Sequence, residues 1–169
     1  MSEPRTFTFR PIGVIHSPHV KPEDTPIQPS FAVGIEGTVE VFPEFAEGLK
    51  DIEGFSHIYL LYPFDRAGEP SLLVKPFLQD TLRGVFATRA PRRPNGIGMS
   101  LVRLLGRDGA VLRVSDVDVL DGTPLFDIKP FSPRFDRRED VQSGWMDDVD
   151  DETAAKRGLR GYRTDNEKE

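Results

Sequence analysis

The apolar residues of this chain come in short runs that a glycine or proline soon interrupts, and this spacing is what most limits the fold. With 15 Gly and 15 Pro among 169 residues, a breaker falls about every sixth position, too often for long helices. The runs cover residues 6–16, 37–42, 55–64, 82–88, 99–105, 110–120 and 124–128. Most are rich in Val, Ile, Leu and Phe, which suit a pleated, half-buried surface. They predict a mainly β fold, a small closed or nearly closed β-barrel with one or two short helices, because closure removes exposed strand edges.

Local patterns refine this. In VLRVSDVDVL the apolar positions are Leu112 and Val114, then Val117 and Val119. A period-two pattern changes phase when a residue is inserted, so a β-bulge is expected near Ser115 and Asp116. PEFAEGLKDIEG reads as one short helix, with Pro43 at its start, Phe45, Leu49 and Ile52 on one face and Gly54 at its end. Composition shifts after Pro133, which divides the chain into a barrel domain over residues 1–135 and a polar C-terminal tail over 136–169. In the tail 11 acidic and 7 basic residues outweigh a few large apolar ones. One helix is expected across residues 146–157, with Asp early and Lys156 and Arg157 late, and disorder beyond Thr164.

Several chemistries drop out. The chain has no cysteine, which excludes disulfides, Cys-ligated zinc, iron–sulfur clusters and a thiol nucleophile. MSEPRTFTFRPIGVIHS lacks the charged start and apolar run of a signal peptide, and no stretch approaches the ~20 apolar residues of a membrane span. A soluble, cytoplasmic domain is the expectation. No GxSxG, GxxxxGK[ST] or strand-following GxGxxG is present, so a serine-hydrolase elbow, a P-loop and a Rossmann site are disfavoured. His16 and His19, three apart on an extended strand, face opposite ways and make no chelating pair, and no metal is expected. His57, inside FSHIYLL, reads as a hydrogen-bonded core histidine.

The formal net charge is −6, which speaks against broad nucleic-acid binding. The charge is unevenly spread. Residues 82–107 hold six arginines (Arg83, Arg89, Arg92, Arg93, Arg103 and Arg107) and no acid, leaving 16 basic against 28 acidic residues elsewhere. This segment is either a solvated loop with edge-strand arginines or an anion site for carboxylate or phosphate, for which the guanidinium fork is well shaped. The loop APRRPNGIG favours the second, since Pro91 and Pro94 stiffen it while Gly96 and Gly98 permit close approach. DVDVLDGTPLFDIKPF concentrates Asp116, Asp118, Asp121 and Asp127. These carboxylates either make an Asx turn and face solvent or serve a metal, a base or a cationic ligand.

Four segments in order, GVIHSP, EVFPEFAEGLKDIEGFSHIYLLY, RGVFATRAPRRPNGIGMSLVRLL and DVDVLDGTPLFDIKPF, resemble the TrmO family, also called YaeB-like or TsaA-like proteins. The resemblance spans about residues 8–136. It implies a small homodimeric β-barrel that binds S-adenosyl-L-methionine without a Rossmann fold and methylates N6 of threonylcarbamoyl-adenosine at position 37 of tRNA. By motif position, the implied cofactor contacts are Pro26, Ile27 and Gln28, the dipeptide Asp65-Arg66, Arg89, Met99 and Leu101, and the turn Asp121, Gly122, Thr123 and Pro124. Relatives commonly carry His at the position of Asp65 and Pro at that of Gly96, and some bacterial members continue into a second domain. Binding and regulation by the same cofactor without RNA methylation is the alternative. For the methyl transfer, Asp121 or Asp127 is expected to act as base on the urea-like N6, and Arg92 and Arg93 to contact RNA.

Overall fold

The computed structural model describes residues 5–159. Its centre is a seven-stranded antiparallel sheet in the order β8-β1-β2-β7-β6-β3-β9. The strands are β1 (Gly13–His16), β2 (Glu36–Val41), β3 (His57–Pro63), β6 (Ile97–Asp108), β7 (Val111–Ser115), β8 (Thr123–Leu125) and β9 (Asp127–Pro130). β8 pairs with β1 and β9 with β3, yet only Phe126 separates β8 from β9. One continuous segment thus covers both sheet edges and nearly closes the barrel, as the punctuated apolar runs predict. Phe126 N–H secures the crossing by donating to the Leu61 carbonyl at 2.8 Å.

Alternation decides which side chains fill the barrel. Along β3, Ile58, Leu60 and Tyr62 are buried while their neighbours are half-exposed; along β6, Gly98, Ser100 and Val102 point inward. Val39, Val41, Leu112, Val114, Val117 and Leu125 complete the same core.

The expected bulge exists, but in the facing strand: β6 shifts register between Leu104 and Gly106 opposite β7. The 12-residue β6 pairs with β3 along its first half and β7 along its second, and the bulge bends it between the two partners. The phase change at Ser115 has another cause. β7 ends there, and Asp116 takes a left-handed φ of 70°, after which Val117, Asp118 and Val119 are all buried.

Other expectations change in detail. The helix read from PEFAEGLKDIEG is two 3₁₀ segments, Pro43–Leu49 and Ile52–Gly54, split by Asp51 at φ 67°. The apolar face survives: Leu49 is buried, and Phe45 and Ile52 pack on the core. Residues 82–88 are mostly not strand. Only Arg83–Gly84 (β5) pairs, with Leu73–Val74 (β4), as a ribbon separate from the barrel sheet, before a 3₁₀ turn over Val85–Ala87.

After a short helix α1 (Pro133–Asp136), the tail forms a 3₁₀ turn over Gly144–Asp148 and then helix α2 (Asp151–Arg157). The single helix expected over 146–157 is cut because Asp150 caps α2, its carboxylate accepting from Thr153 N–H at 2.7 Å and Thr153 Oγ1–H at 2.9 Å. Those bonds hold the Asp150 carboxyl below its ordinary pKa. The disorder expected beyond Thr164 lies outside the described residues. No helix among the described residues is long and apolar enough to cross a membrane.

Candidate functional site

Two adjoining cavities open where the segment before β2, the arginine-rich loop before β6 and the β6 strand meet. The larger, about 800 Å³, is lined by Ile27, Gln28, Arg89 and Leu101 together with aromatic and aliphatic side chains. The smaller, about 200 Å³, shares Ile27, Gln28 and Arg89 and adds Arg93, Met99 and Asp118. Residues from three separate sequence motifs therefore converge on one space.

Arg89 extends across it, one guanidinium N–H donating to Gln28 Oε1 at 2.7 Å. Gln28 in turn donates through Nε2 to the Ile27 carbonyl, which orients the amide and identifies its oxygen. Pro26, immediately before, is buried and fixes the segment. Tyr59 stands near this charge: burial and then Asp136 push its phenol above the ordinary value, while Arg89 pulls the other way. It is neutral and a hydrogen-bond donor at pH 7.

The remaining implied cofactor residues form a second cluster. Arg66 donates to the Asp121 carbonyl at 3.1 Å and to Thr123 Oγ1 at 2.8 Å, and its Nε lies 3.4 Å from Asp65. Gly122 has φ 77°, a conformation that costs an L side chain about 1 kcal/mol or more, which explains glycine after Asp121. Ser17 N–H donates to Asp121 Oδ1 at 3.1 Å and Gly122 N–H to the Ile15 carbonyl at 2.9 Å, so GVIHSP and DGTP are stitched together. Pro124 follows on β8. None of these residues lines either cavity described above.

The two carboxylates expected to act as base are differently placed. Asp121 is held in this turn, beside His16 Nδ1 at 3.5 Å. Asp127 pairs with Lys129 at 2.9 Å and, opposite Leu61 in the ladder, lies on the outer face of the barrel. Asp118 lines the smaller cavity instead. It is 8% exposed and accepts from Ser100 Oγ at 2.5 Å; Ser100 Oγ also lies 2.8 Å from Tyr62 OH.

The arginines divide. Arg92 is exposed, one N–H donating to the Glu69 carbonyl at 2.7 Å. Arg93 is a brace, donating to the carbonyls of Thr88 and Ala90 at 2.9 and 3.1 Å and holding the loop that carries Arg89. Arg107 lies elsewhere, tied to Leu49 and Glu53. The histidines also exchange roles: His57 is half-exposed on the larger cavity, bonded to Ser56, whereas His19 is the buried one, its Nε2 2.7 Å from the Val117 carbonyl. No cluster of three or more potential metal ligands occurs among the described residues.

The sequence places Asp118 among four clustered carboxylates without singling it out, and gives no sign of Trp145, which lines the larger cavity. Asp118 sits where alternation with Val117 and Val119 directs it outward, and only the left-handed Asp116 shows otherwise.

The family pattern of the tRNA-methyltransferase O N-terminal domain matches residues 14–137. A probable S-adenosyl-L-methionine-binding protein of Pyrococcus abyssi is 62% identical over 85% of this chain and 78% of its own length. The tRNA (adenine(37)-N6)-methyltransferase of Escherichia coli K12 is 33% identical over 83% of this chain and 64% of its own. The crystal structure of TrmO from Pseudomonas aeruginosa superposes with a TM-score of 0.70 at 40% identity, covering 83% of this chain and 63% of that one. The chain thus spans somewhat under two thirds of these two bacterial proteins. By the motifs, the barrel and these likenesses, it belongs to the TrmO family.

Proposed function

We propose that this protein binds S-adenosyl-L-methionine and transfers its methyl group to N6 of threonylcarbamoyl-adenosine at position 37 of tRNA. The observation that carries this reading is the convergence of Ile27, Gln28, Arg89, Met99 and Leu101 on adjoining cavities in a TrmO-family barrel. The donor set fits the cofactor. Arg89 and the Gln28 amide suit a carboxylate, and the apolar walls suit a purine. The Asp65-Arg66 dipeptide and the turn from Asp121 to Pro124 are assigned to the same ligand from their motif positions.

When bound, the cofactor supplies a methyl group on a sulfonium that leaves as a neutral thioether. The protein's part is placement and proton removal. Rigid positioning accounts for roughly 7–11 kcal/mol of such a barrier, and the proline-stiffened loop that carries Arg89, braced by Arg93, is suited to it. The acceptor N6–H must lose its proton as the new bond forms, and Asp118 joins Asp121 and Asp127 as a carboxylate for that step, distinguished by its place on the cavity.

The deciding experiment is transfer of labelled methyl to tRNA with and without the threonylcarbamoyl group. Transfer to modified tRNA alone is expected. Cofactor binding with no transfer to either RNA supports the second reading, a binding or regulatory module, which the name of the Pyrococcus relative favours.

Arg92 and Arg93 are assigned to RNA contact. Of the two, exposed Arg92 gives the cleaner test, since changing Arg93 also loosens the loop. Arg92→Glu is expected to weaken tRNA binding at least several-fold and to reduce the salt slope by about 1 for each phosphate no longer neutralised. Unchanged affinity and slope exclude that role for Arg92.

Homodimerisation and a cytoplasmic location belong to the same proposal. Sedimentation is expected to give twice the 19.0 kDa chain mass, and a single-chain mass excludes the homodimer.

A further inference from the structure

The tail after residue 137 lies beyond the matched family domain, yet it is built into the larger cavity. Ser143, Trp145 and Met146 line that cavity. Trp145 Nε1–H donates to the Ala87 carbonyl at 2.7 Å, and Gln79 Nε2–H reaches the Trp145 carbonyl at 3.3 Å. The Arg83 guanidinium stacks 5.6 Å from the indole centroid and is itself steadied by Gln79 Oε1 at 2.7 Å.

The far end is tied as firmly. Arg157 makes two bonds of 3.1 Å to Asp80, holding that carboxyl below its ordinary pKa. A carboxyl so depressed pairs fully above its ordinary value and is released only as pH falls through the lowered one, so this tie is intact at neutral pH. Gly158 accepts from Ile27 N–H at 3.2 Å, next to Gln28, and a Cβ at Gly158 would lie 2.3 Å from the Phe31 ring. The tail thus grips both walls of the cavity, one at Ala87 and Gln79, the other at Ile27 and Phe31.

A tryptophan on a cavity wall, with indole N–H and one neighbouring cation fixing its orientation, offers a large aromatic surface at little cost in conformational freedom. Phe31 and Phe77 line the same cavity, and Arg89 and Gln28 supply its polar side. The ligand chemistry this combination recognises is a planar, electron-poor heterocycle on a polar sugar.

We propose that Trp145, carried by the C-terminal segment, is a binding residue on which the purine of an adenosine stacks. This rests on the functional reading above, which places two adenosines at this site: that of the cofactor and that of the tRNA.

Trp145 is the sole tryptophan of the chain, so the unmodified full-length protein reports on it directly. Titration with S-adenosylhomocysteine, and separately with an anticodon stem-loop bearing the modified adenosine, is followed by tryptophan emission and by calorimetry. Binding of at least one ligand is expected to change the emission. For that ligand Trp145→Ala is expected to weaken affinity about tenfold, and Trp145→Phe to stay within about threefold of the native protein. The ligand that responds identifies which adenosine is stacked.

Calorimetric binding of both ligands with unchanged emission, and affinity unchanged in a folded Trp145→Ala protein, overturns the stacking role alone. If neither ligand binds the native protein, the functional reading fails with it.

Discussion

Asp118→Asn is expected to slow methyl transfer by about 100-fold or more while S-adenosyl-L-methionine binds within about threefold of its native affinity. The size follows from what a positioned base contributes, on the order of 10²–10⁴ in rate. Asn keeps the shape of Asp and its carbonyl still accepts from Ser100 Oγ, so the buried arrangement survives while basicity is lost. Single-turnover rates on modified tRNA, with cofactor affinity measured alongside, separate chemistry from binding. Asp127→Asn provides the contrast. Its carboxylate is engaged by Lys129 and by Ile128 N–H on the outer face, and its loss is expected to change the rate less than threefold. Asp121→Asn is expected to act on cofactor affinity through the turn it anchors with Ser17. A loss of less than tenfold in Asp118→Asn returns the role of base to Asp121 or Asp127.

Much of the fold is visible in residue types alone. Close-set breakers and β-branched runs force short strands, and short strands in one small chain must cover their edges. A single segment, Thr123 to Pro130, serves both, pairing with β1 and then β3. What composition cannot reveal is backbone handedness at single residues. Asp51 and Asp116 both lie at positive φ. The first splits an apparent helix without moving its apolar face. The second ends a strand and leaves three consecutive residues buried, so period-two alternation alone, which sends Asp118 to the face opposite its two valines, cannot reveal that it is enclosed.

The arginine cluster shows a different gap between order in the chain and order in space. Four of the six arginines close together in sequence scatter to separate tasks: Arg89 meets Gln28, Arg93 braces its own loop, Arg83 underlies Trp145 and Arg107 ties a 3₁₀ segment. Charge counting finds the segment but not the division, because a guanidinium also donates to backbone and amide carbonyls. The docking of the tail is hidden in the sequence for a related reason. Its polar composition signals weak burial, yet a few bonds from Trp145, Arg157 and Gly158 suffice to dock it.

Gly98→Ala is expected to destabilise the protein by about 1–3 kcal/mol and to reduce methyl transfer, although it adds one methyl group. A Cβ at this position would lie 2.2, 2.6 and 2.8 Å from three atoms of the Tyr62 ring. Tyr62 is 6% exposed and packs edge-on against Phe64 at 5.7 Å, so the ring has little room to retreat. Any retreat carries its hydroxyl away from Ser100, whose own hydroxyl is bonded to Asp118. The glycine is therefore required by a contact two links from the carboxylate, and its freedom of φ is irrelevant. Tyr62→Phe isolates the hydroxyl: it leaves the ring in place, and a smaller rate loss than in Gly98→Ala is expected. Denaturant unfolding of Gly98→Ala, Tyr62→Ala and the double variant completes the argument. Removing the ring removes the clash, so the double variant is expected to be more stable than the sum of the single losses allows, by more than about 0.5 kcal/mol. Additivity within that margin means that something other than Tyr62 demands the glycine.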